Sequence, residues 1–477
     1  MNIWNIPAEV MLGGLLGWLV FSAFLVWKGE FIGAAVLSFF FFSQAIIDYA
    51  LGGRVIPNGQ LVLIFFGPLL LISVAVRQRA PVGIKNLSPF VLYGVLIVIA
   101  IVWNGLSFWD YKSQLTPVLF AALIYLSIDG ERELRLLVTV FAVLVMINTF
   151  VAAMQYSGHV HWYLPSQLRA GDVDAGGFRR GFGLANHFSQ AGLYCAAMVP
   201  IAALQVVANS QRWRKVFWIA AAGGAILGLV FTGLRAGFLG GLLGLVLALR
   251  WWDAKRAKVY LAGGAALVLM VMAAVPLLHR ASDSYVHHLT HIDQSAESRP
   301  HLAELAIAQW KLSPVFGAGP RSVARSEGGA GDPHNTYADV LADYGVLGLV
   351  TFLGMLWFAH KRVRAAIEYG PRDRALLIGV NGALISACVV AFFHSVDYIE
   401  VFWLFPALAL ATDRTRMRQR RGRDARRLRM QVTDGGTARL PVPARTGRTM
   451  LQQRNEMRGL RNGRNEVANS SHGGQTP

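Results

Sequence analysis

The sequence predicts an all-α protein that crosses a membrane about twelve or thirteen times, and three observations carry that prediction. Hydrophobic residues make up 54% of the 477 positions and charged residues 15%, with a mean hydropathy of +0.43. One or two soluble cores have no use for so much apolar surface. Long apolar runs separated by short charged turns recur from about residue 10 to residue 412, and roughly 20 such residues cross the hydrocarbon as helix. A barrel would instead alternate over strands of about ten residues, a pattern the chain lacks. The basic residues behind the net charge of +18 sit in the turns and after Asp413, as in cytoplasmic loops, so the charge does not point to nucleic acid.

Taken in order, the spans fall at about 10–27, 30–47, 60–76, 89–104, 114–128, 134–155, 184–208, 216–232, 236–250, 258–278, 336–359, 375–393 and 399–412. No Lys or Arg precedes the run from Val10 to Trp27, and many spans follow it, so it reads as a membrane helix and not as a cleaved signal. Basic turns at Arg77–Arg79, Arg132–Arg135, Arg212–Lys215, Lys255–Lys258 and Lys361–Arg364 are separated by even numbers of spans, which puts them all on the cytoplasmic side. That register leaves two long stretches on the periplasmic face, about 156–183 and about 279–335, the second before the third-last helix. The tight turn around Arg235 joins them there. A count of about thirteen puts the amino terminus outside; if the first two segments form one kinked span or a re-entrant pair, the count is about twelve with both termini inside. Residues 1–412 thus form one transmembrane domain. Residues 413–477 form a basic, aromatic-free cytoplasmic tail that cannot bury enough apolar surface to fold alone and suits anionic headgroups. Cys195 and Cys388 lie within apolar spans and read as small packing residues.

An isolated charge in hydrocarbon is costly, so a membrane protein that does chemistry gathers its polar groups at one depth and face. Here they gather on the outer side. The longest polar stretch, His279 to Asn335, contains an amphipathic helix with Pro300 near its start and Leu302, Leu305, Ala306 and Trp310 at helical spacing, expected to lie along the bilayer surface. Pro314-Val315-Phe316-Gly317-Ala318-Gly319-Pro320 then turns the chain back toward the membrane. The next span opens on Asp332-Pro333-His334-Asn335. Asp332 suits an N-cap and Pro333 the first helical position, which puts His334 in the first turn. The positive helix end favours a neutral imidazole, able to accept a proton, and attracts phosphate. Arg235, Arg299 and Arg180 flank the same face, with Arg280 a further candidate; a guanidinium pairs two phosphate oxygens and stays charged when partly desolvated. His287, His288 and His291 have metal-like spacing but no accompanying carboxylate motif, so they read as solvated loop, and neither metal nor cofactor is expected. His394, Asp397 and Glu400 lie at the outer end of the penultimate span.

The run His334-Asn335, nine residues, then Gly345-Val346-Leu347-Gly348 reproduces the H-[NSQ]-x9-G-x-x-G pattern of the O-antigen ligase and polymerase superfamily. Three further segments are similar to that superfamily. Thr232-Gly-Leu-Arg235-Ala-Gly237 resembles its T-x-S-R-G/A segment, with Leu234 in place of the usual serine. Ser298-Arg299, Trp310 and Pro314 to Gly319 resemble the loop before the histidine, and Arg180-Gly-Phe-Gly183-Leu-Ala-Asn186-His187 is similar to its R-x-x-G…N segment. The resemblance covers residues about 178 to 350. It implies a GT-C-type glycosyltransferase of the bacterial inner membrane that takes a glycan from undecaprenyl diphosphate on the periplasmic face. His334 would be the general base. Arg235, Arg299, Arg180 and Arg280 would hold the diphosphate. Asn335, Gly345, Gly348 and Asn186 are the accompanying motif residues, the glycines allowing close helix contact. The implied chemistry is a metal-independent direct displacement that inverts the anomeric carbon.

Three acceptors fit the motif: lipid A-core for a ligase, another lipid-linked glycan for a polymerase, and a protein side chain for a protein O-oligosaccharyltransferase, to which the run from His394 to Trp403 bears a faint likeness. Loop order and the short carboxyl end favour the ligase. A multispan transporter or flippase would hold its charges near the bilayer midplane and often shows repeat symmetry, neither of which the sequence displays.

Overall fold

The computed structural model describes residues 8–28, 32–50, 60–68, 84–111, 114–128, 130–169, 179–252, 294–326, 333–369 and 373–413. The expected span at 258–278, Arg280, the His287–His291 cluster, Asp332, the basic turns at Arg77–Arg79 and Lys255–Lys258, and the tail after Asp413 lie outside them. No strand occurs among the described residues. The helices used below are α1 (Ala8–Lys28), α2 (Ile32–Ala50), α3 (60–68), α4 (Ser88–Trp103), α5 (Thr116–Ser127), α6 (Glu131–Tyr156), α7 (Phe188–Ala208), α8 (Arg212–Thr232), α9 (Arg235–Leu249), α10 (Gln294–Leu312), α11 (Thr336–Tyr369), α12 (Arg374–Phe393) and α13 (400–413).

Six described stretches are long and apolar enough to cross a membrane: Lys85–Trp103, Glu131–Tyr156, Phe188–Ala208, Arg212–Thr232, Thr336–Glu368 and Arg374–Phe393. The apolar stretches in α1, α2, α5 and α9 match the expected positions but are shorter. Helix ends overrun the hydropathy boundaries. Arg132 and Arg135, Arg212 to Lys215, and Lys361 to Arg364 lie on helical turns of α6, α8 and α11, not in loops between helices, because a helix can continue past the apolar window while its long basic side chains reach polar surroundings.

The centre of the bundle is formed by α7, α12 and α13, the last buried from Val401 to Asp413. Close approach depends on small residues: Gly240 and Gly244 of α9 face the backbone and side chain of Ser386 on α12, where a Cβ would collide. On the outside, Leu16, Val20, Val91, Val216, Val350 and Trp357 are each more than half exposed, a surface that lipid can solvate and water cannot.

The bundle has two distinct ends. At one, Arg135 pairs with Glu131 at 2.8 Å and Asp373 at 2.5 Å, Arg362 pairs with the buried Asp413 at 3.2 Å, Asn86 donates to the same carboxylate at 3.3 Å, and Arg374 donates to the Trp251 carbonyl at 2.9 Å. These residues belong to the ends of α6, α9, α11, α12, α13 and the turn before α4, so every expected basic segment that is described shares one end. The opposite end carries the start of α7, the α8–α9 turn, the start of α11 and the segment between α12 and α13.

At that opposite end α11 is bent. Gly345 has φ +67° and ψ −167° inside the helix. There the loop after α10 enters the helix ladder: Ala318 N donates to Ala342 O at 2.8 Å and Gly319 N to Asp343 O at 3.0 Å, while Val346 N and Leu347 N donate outward to Pro314 O and Val315 O at 2.9 and 3.3 Å. A Cβ on Gly345 would collide with the Val315 carbonyl and the Gly317 amide nitrogen, and one on Gly317 with the backbone of Asp343 and Tyr344. The expectation that Gly345 serves close helix contact is thus corrected: it admits a loop, not a helix. At Gly348 an added Cβ would meet Tyr344 of its own helix, one turn earlier.

Gly345→Ala should therefore sharply lower the melting temperature of the purified protein or abolish folding, since it combines a disfavoured φ with a backbone collision. Gly354→Ala in the same helix meets nothing within 4 Å and should be neutral or slightly stabilising. Equal melting temperatures for the two variants would contradict the kink.

Candidate active site

The segment before α7 is shaped by side chains of α6. Gln155 accepts from Phe182 N at 2.6 Å and Gly183 N at 2.8 Å and donates to Gly183 O at 3.1 Å; Asn148 accepts from Leu184 N at 2.8 Å. Gly183 has φ +62°, and a Cβ there would strike Asn148. These buried amides replace the secondary structure that residues 180–186 lack. They fix Arg180, whose guanidinium lies 4.2 Å from the Phe188 ring centre and whose carbonyl accepts from the Tyr163 hydroxyl at 2.6 Å. Asn186 follows, its amide donating to Gln190 at 3.3 Å, and His187 caps α7, its Nδ1 accepting from Ser189 N at 3.3 Å.

The α8–α9 turn lies alongside. Gly233, at φ +63°, closes α8, and Gly181 N donates to Phe231 O at 2.8 Å, tying this turn to the residue after Arg180. Arg235 is the first residue of α9 and is exposed. Arg299 stands on α10, half-buried. That helix buries Leu302 and Ala306 against Val323, Ala338 and Ala342, so its apolar face packs on α11. It begins at Gln294, which places Pro300 inside the helix and not near its start. The Trp310 indole donates to Pro314 O at 3.1 Å, and the Asp343 carboxylate accepts from Arg321 N at 2.6 Å and from Ser322 N and Oγ at 2.8 and 2.7 Å. Arg299 is thereby attached to the same bent helix that carries the histidine motif.

The start of α11 differs from the sequence expectation. Asn335, not Asp332, is the cap: its Oδ1 accepts from Tyr337 N at 3.0 Å and Ala338 N at 3.1 Å. His334 precedes the helix in left-handed backbone, φ +52°, a conformation that costs on the order of 1 kcal/mol outside glycine. Pro333 is not a helical residue, and the argument that a helix terminus tunes His334 loses its basis. Asparagine wins the cap because its short side chain reaches both exposed amides while Thr336 is committed elsewhere. The Thr336 hydroxyl donates to His394 O and accepts from Val396 N, both at 2.8 Å.

That bond brings in His394, the residue that follows α12. Its ring lies edge-on to His334 with centroids 6.3 Å apart and contacts Phe188 at the same distance. Burial, and then the charges of Arg299, His334, His187 and Arg180, push its pKa down to about 3. The same four residues are therefore gathered around one imidazole. Arg180, Arg299, His334 and His187 all act on His394, while Arg235 lies on the neighbouring turn. The signal for His394 in the sequence was its depth: a histidine at the outer end of a span, level with His334. Among the described residues no cluster of His, Cys, Asp and Glu has the arrangement of a metal site. What the geometry offers is Arg180 and Arg299 acting on a buried imidazole that lies beside His334, an arrangement suited to an anion next to a nitrogen base.

The model of a family described as O-antigen ligase matches residues 220–353. The matched stretch includes Arg235, Arg299, His334, Gly345 and Gly348, and excludes Arg180 and His394. A search of curated proteins returns no match.

Because the folded state keeps His394 neutral down to about 3 and an unfolded histidine titrates near ~6.5, the unfolded chain takes up a proton that the folded state refuses. The His394 contribution is nil above about 6.5, and stability falls as pH drops from there toward about 3. Melting temperature in detergent should decline between pH 7 and pH 5, and His394→Asn should flatten that decline. An unchanged slope would mean that His394 is not the group responsible.

Proposed function

We propose that this chain, whose match to the O-antigen ligase family supports a place in the superfamily of O-antigen ligases and polymerases, is a glycan ligase of the bacterial inner membrane. It transfers a glycan from undecaprenyl diphosphate to lipid A-core on the periplasmic side. The observation that carries this reading is the action of Arg180, Arg299 and His334 on His394, at the end of the bundle opposite the basic segments Arg132–Arg135 and Lys361–Arg364. Basic residues favour the cytoplasm, so the opposite end is periplasmic.

His334 takes the proton of the acceptor hydroxyl as its oxygen attacks the anomeric carbon. The bond from that carbon to the diphosphate breaks with its electron pair leaving on phosphate oxygen. Arg180, Arg299 and Arg235, with Arg280 expected beside them, hold that oxygen charge. Attack opposite the leaving group inverts the anomeric centre. The diphosphate is a good leaving group once its charge is matched, so the chemistry asks for no metal and no covalent enzyme intermediate. The acceptor in this reading is lipid A-core, with a second lipid-linked glycan and a protein side chain as the alternatives.

With purified protein, lipid-linked donor and lipid A-core, His334→Ala should lower turnover by about 100- to 10,000-fold without loss of monodispersity. Arg180→Lys and Arg299→Lys should instead raise the donor KM, since an ammonium lacks the two-pronged geometry. A well-folded His334→Ala with near wild-type turnover would remove the catalytic assignment. Transfer to a second lipid-linked glycan but not to core would redirect the acceptor.

Sidedness is checked separately. In intact spheroplasts a membrane-impermeant maleimide should label Ser157→Cys, exposed beyond α6, and not Gln211→Cys, exposed before α8. The reverse pattern would place the site in the cytoplasm and end this reading.

A further inference from the structure

We infer that His394 is a positioning residue for His334: a buried imidazole that orients the base and receives it as an imidazolium during transfer. The inference rests on the function proposed above and extends it to a residue outside the matched family segment.

The two histidines are linked by backbone chemistry before any contact between their rings. His394 ends α12, its amide donating to Val390 O at 3.0 Å. Its carbonyl and the Val396 amide both bind the hydroxyl of Thr336, two residues after His334. Thr336 itself is fully buried, so the bond holds the two backbones in a fixed relation. The rings then meet at 81° with 6.3 Å between centroids. On its other side His394 faces Phe188, whose ring lies under the Arg180 guanidinium. Left-handed backbone at His334 limits where that ring can go, and strained backbone of this kind persists only where its surroundings over-determine it.

A base that accepts a proton in this site becomes a cation among cations. A carboxylate partner, common beside catalytic histidines, would stabilise it but would also bind Arg180 and Arg299 and withdraw them from the diphosphate. A neutral imidazole avoids that competition, offering one lone pair and one N–H with no net charge. Burial first, and then Arg299, His334, His187 and Arg180, lower its pKa and favour that form. His394 thus supplies orientation without competing for the proton or for the arginines.

Three variants in the purified transfer assay test this. His394→Phe keeps an aromatic ring but no nitrogen; kcat should fall by about 10- to 100-fold, part of what a general base supplies, with donor KM little changed and the pH profile of kcat displaced. His394→Asn restores a neutral donor and acceptor and should recover to within roughly threefold of wild type. His394→Asp should raise donor KM, because its carboxylate engages the arginines. An independent readout is the rate at which diethyl pyrocarbonate modifies His334, followed by mass spectrometry across pH, whose midpoint should move in His394→Phe. If His334→Ala is inactive while His394→Phe shows wild-type kcat, pH profile and His334 modification, the inference fails and the proposed function stands. If His334→Ala is fully active, the proposed function fails and this inference with it. A uniform loss of activity in all three His394 variants, with the His334 modification profile unmoved, would reduce His394 to a packing role and overturn the inference.

Discussion

The half of α11 nearer the candidate site gives up part of its own hydrogen-bond ladder to a loop, and the candidate site depends on that exchange. At Gly345 the amides of Val346 and Leu347 turn outward to Pro314 and Val315, while the carbonyls of Ala342 and Asp343 receive Ala318 and Gly319. A helix in or near hydrocarbon cannot leave such groups bare, so the bend exists only with the loop in place. The loop is fixed in turn by Asn104, which donates to Gly317 O at 3.1 Å, and by Arg325, which donates to the carbonyls of Pro320 and Ala318. α10, Arg299 and the start of α11 are consequently one mechanical unit.

Electrostatics then explains why that unit must be rigid. Arg180 is buried and Arg299 half-buried, and both lower the pKa of the buried His394. In the function proposed above, these cations are placed to meet a polyanion. The buried amides of Asn148 and Gln155 and the Asp343 carboxylate hold the loops that carry this charge. Under the proposed function, cations fixed in this way would reorganise little as charge moves to the leaving group, the condition under which electrostatic stabilisation is most effective.

Much of this architecture was legible in the chain. Long apolar runs fix most spans to within a few residues because the thickness of hydrocarbon sets helix length, and even spacing of the basic segments gathers those that are described at one end. The histidine motif was legible as spacing. What spacing could not give was conformation. Asp332 and Pro333 read as a helix start, yet Asn335 takes the cap, because the choice depends on where the hydroxyl of Thr336 goes, and that is decided by His394, fifty-eight residues away along the chain. The i, i+3 pair Gly345 and Gly348 reads as a helix-contact motif; the positive φ that reassigns Gly345 is a tertiary effect of the loop. His394 was visible as a polar residue at the end of a span, but its partners come from three separate segments, a convergence that no local pattern records.

The same helices that meet at the site also carry the clamp at the other end. Asp413 closes α13, where a carboxylate opposes the helix dipole, and Arg362 of α11 together with Asn86 offsets that cost. At the site end of α13 the Trp403 indole donates to Asp397 O at 2.5 Å, and Ile399 N to Val396 O at 3.0 Å, which fixes the segment beginning at His394. α11 and α13 are thus joined twice, by charge at the basic end and through Thr336 and the 394–399 segment at the other. Sliding one helix against the other along the membrane normal would break both junctions together. The depth of His334 relative to His394 is therefore set by the whole length of the bundle as well as by the loops around it.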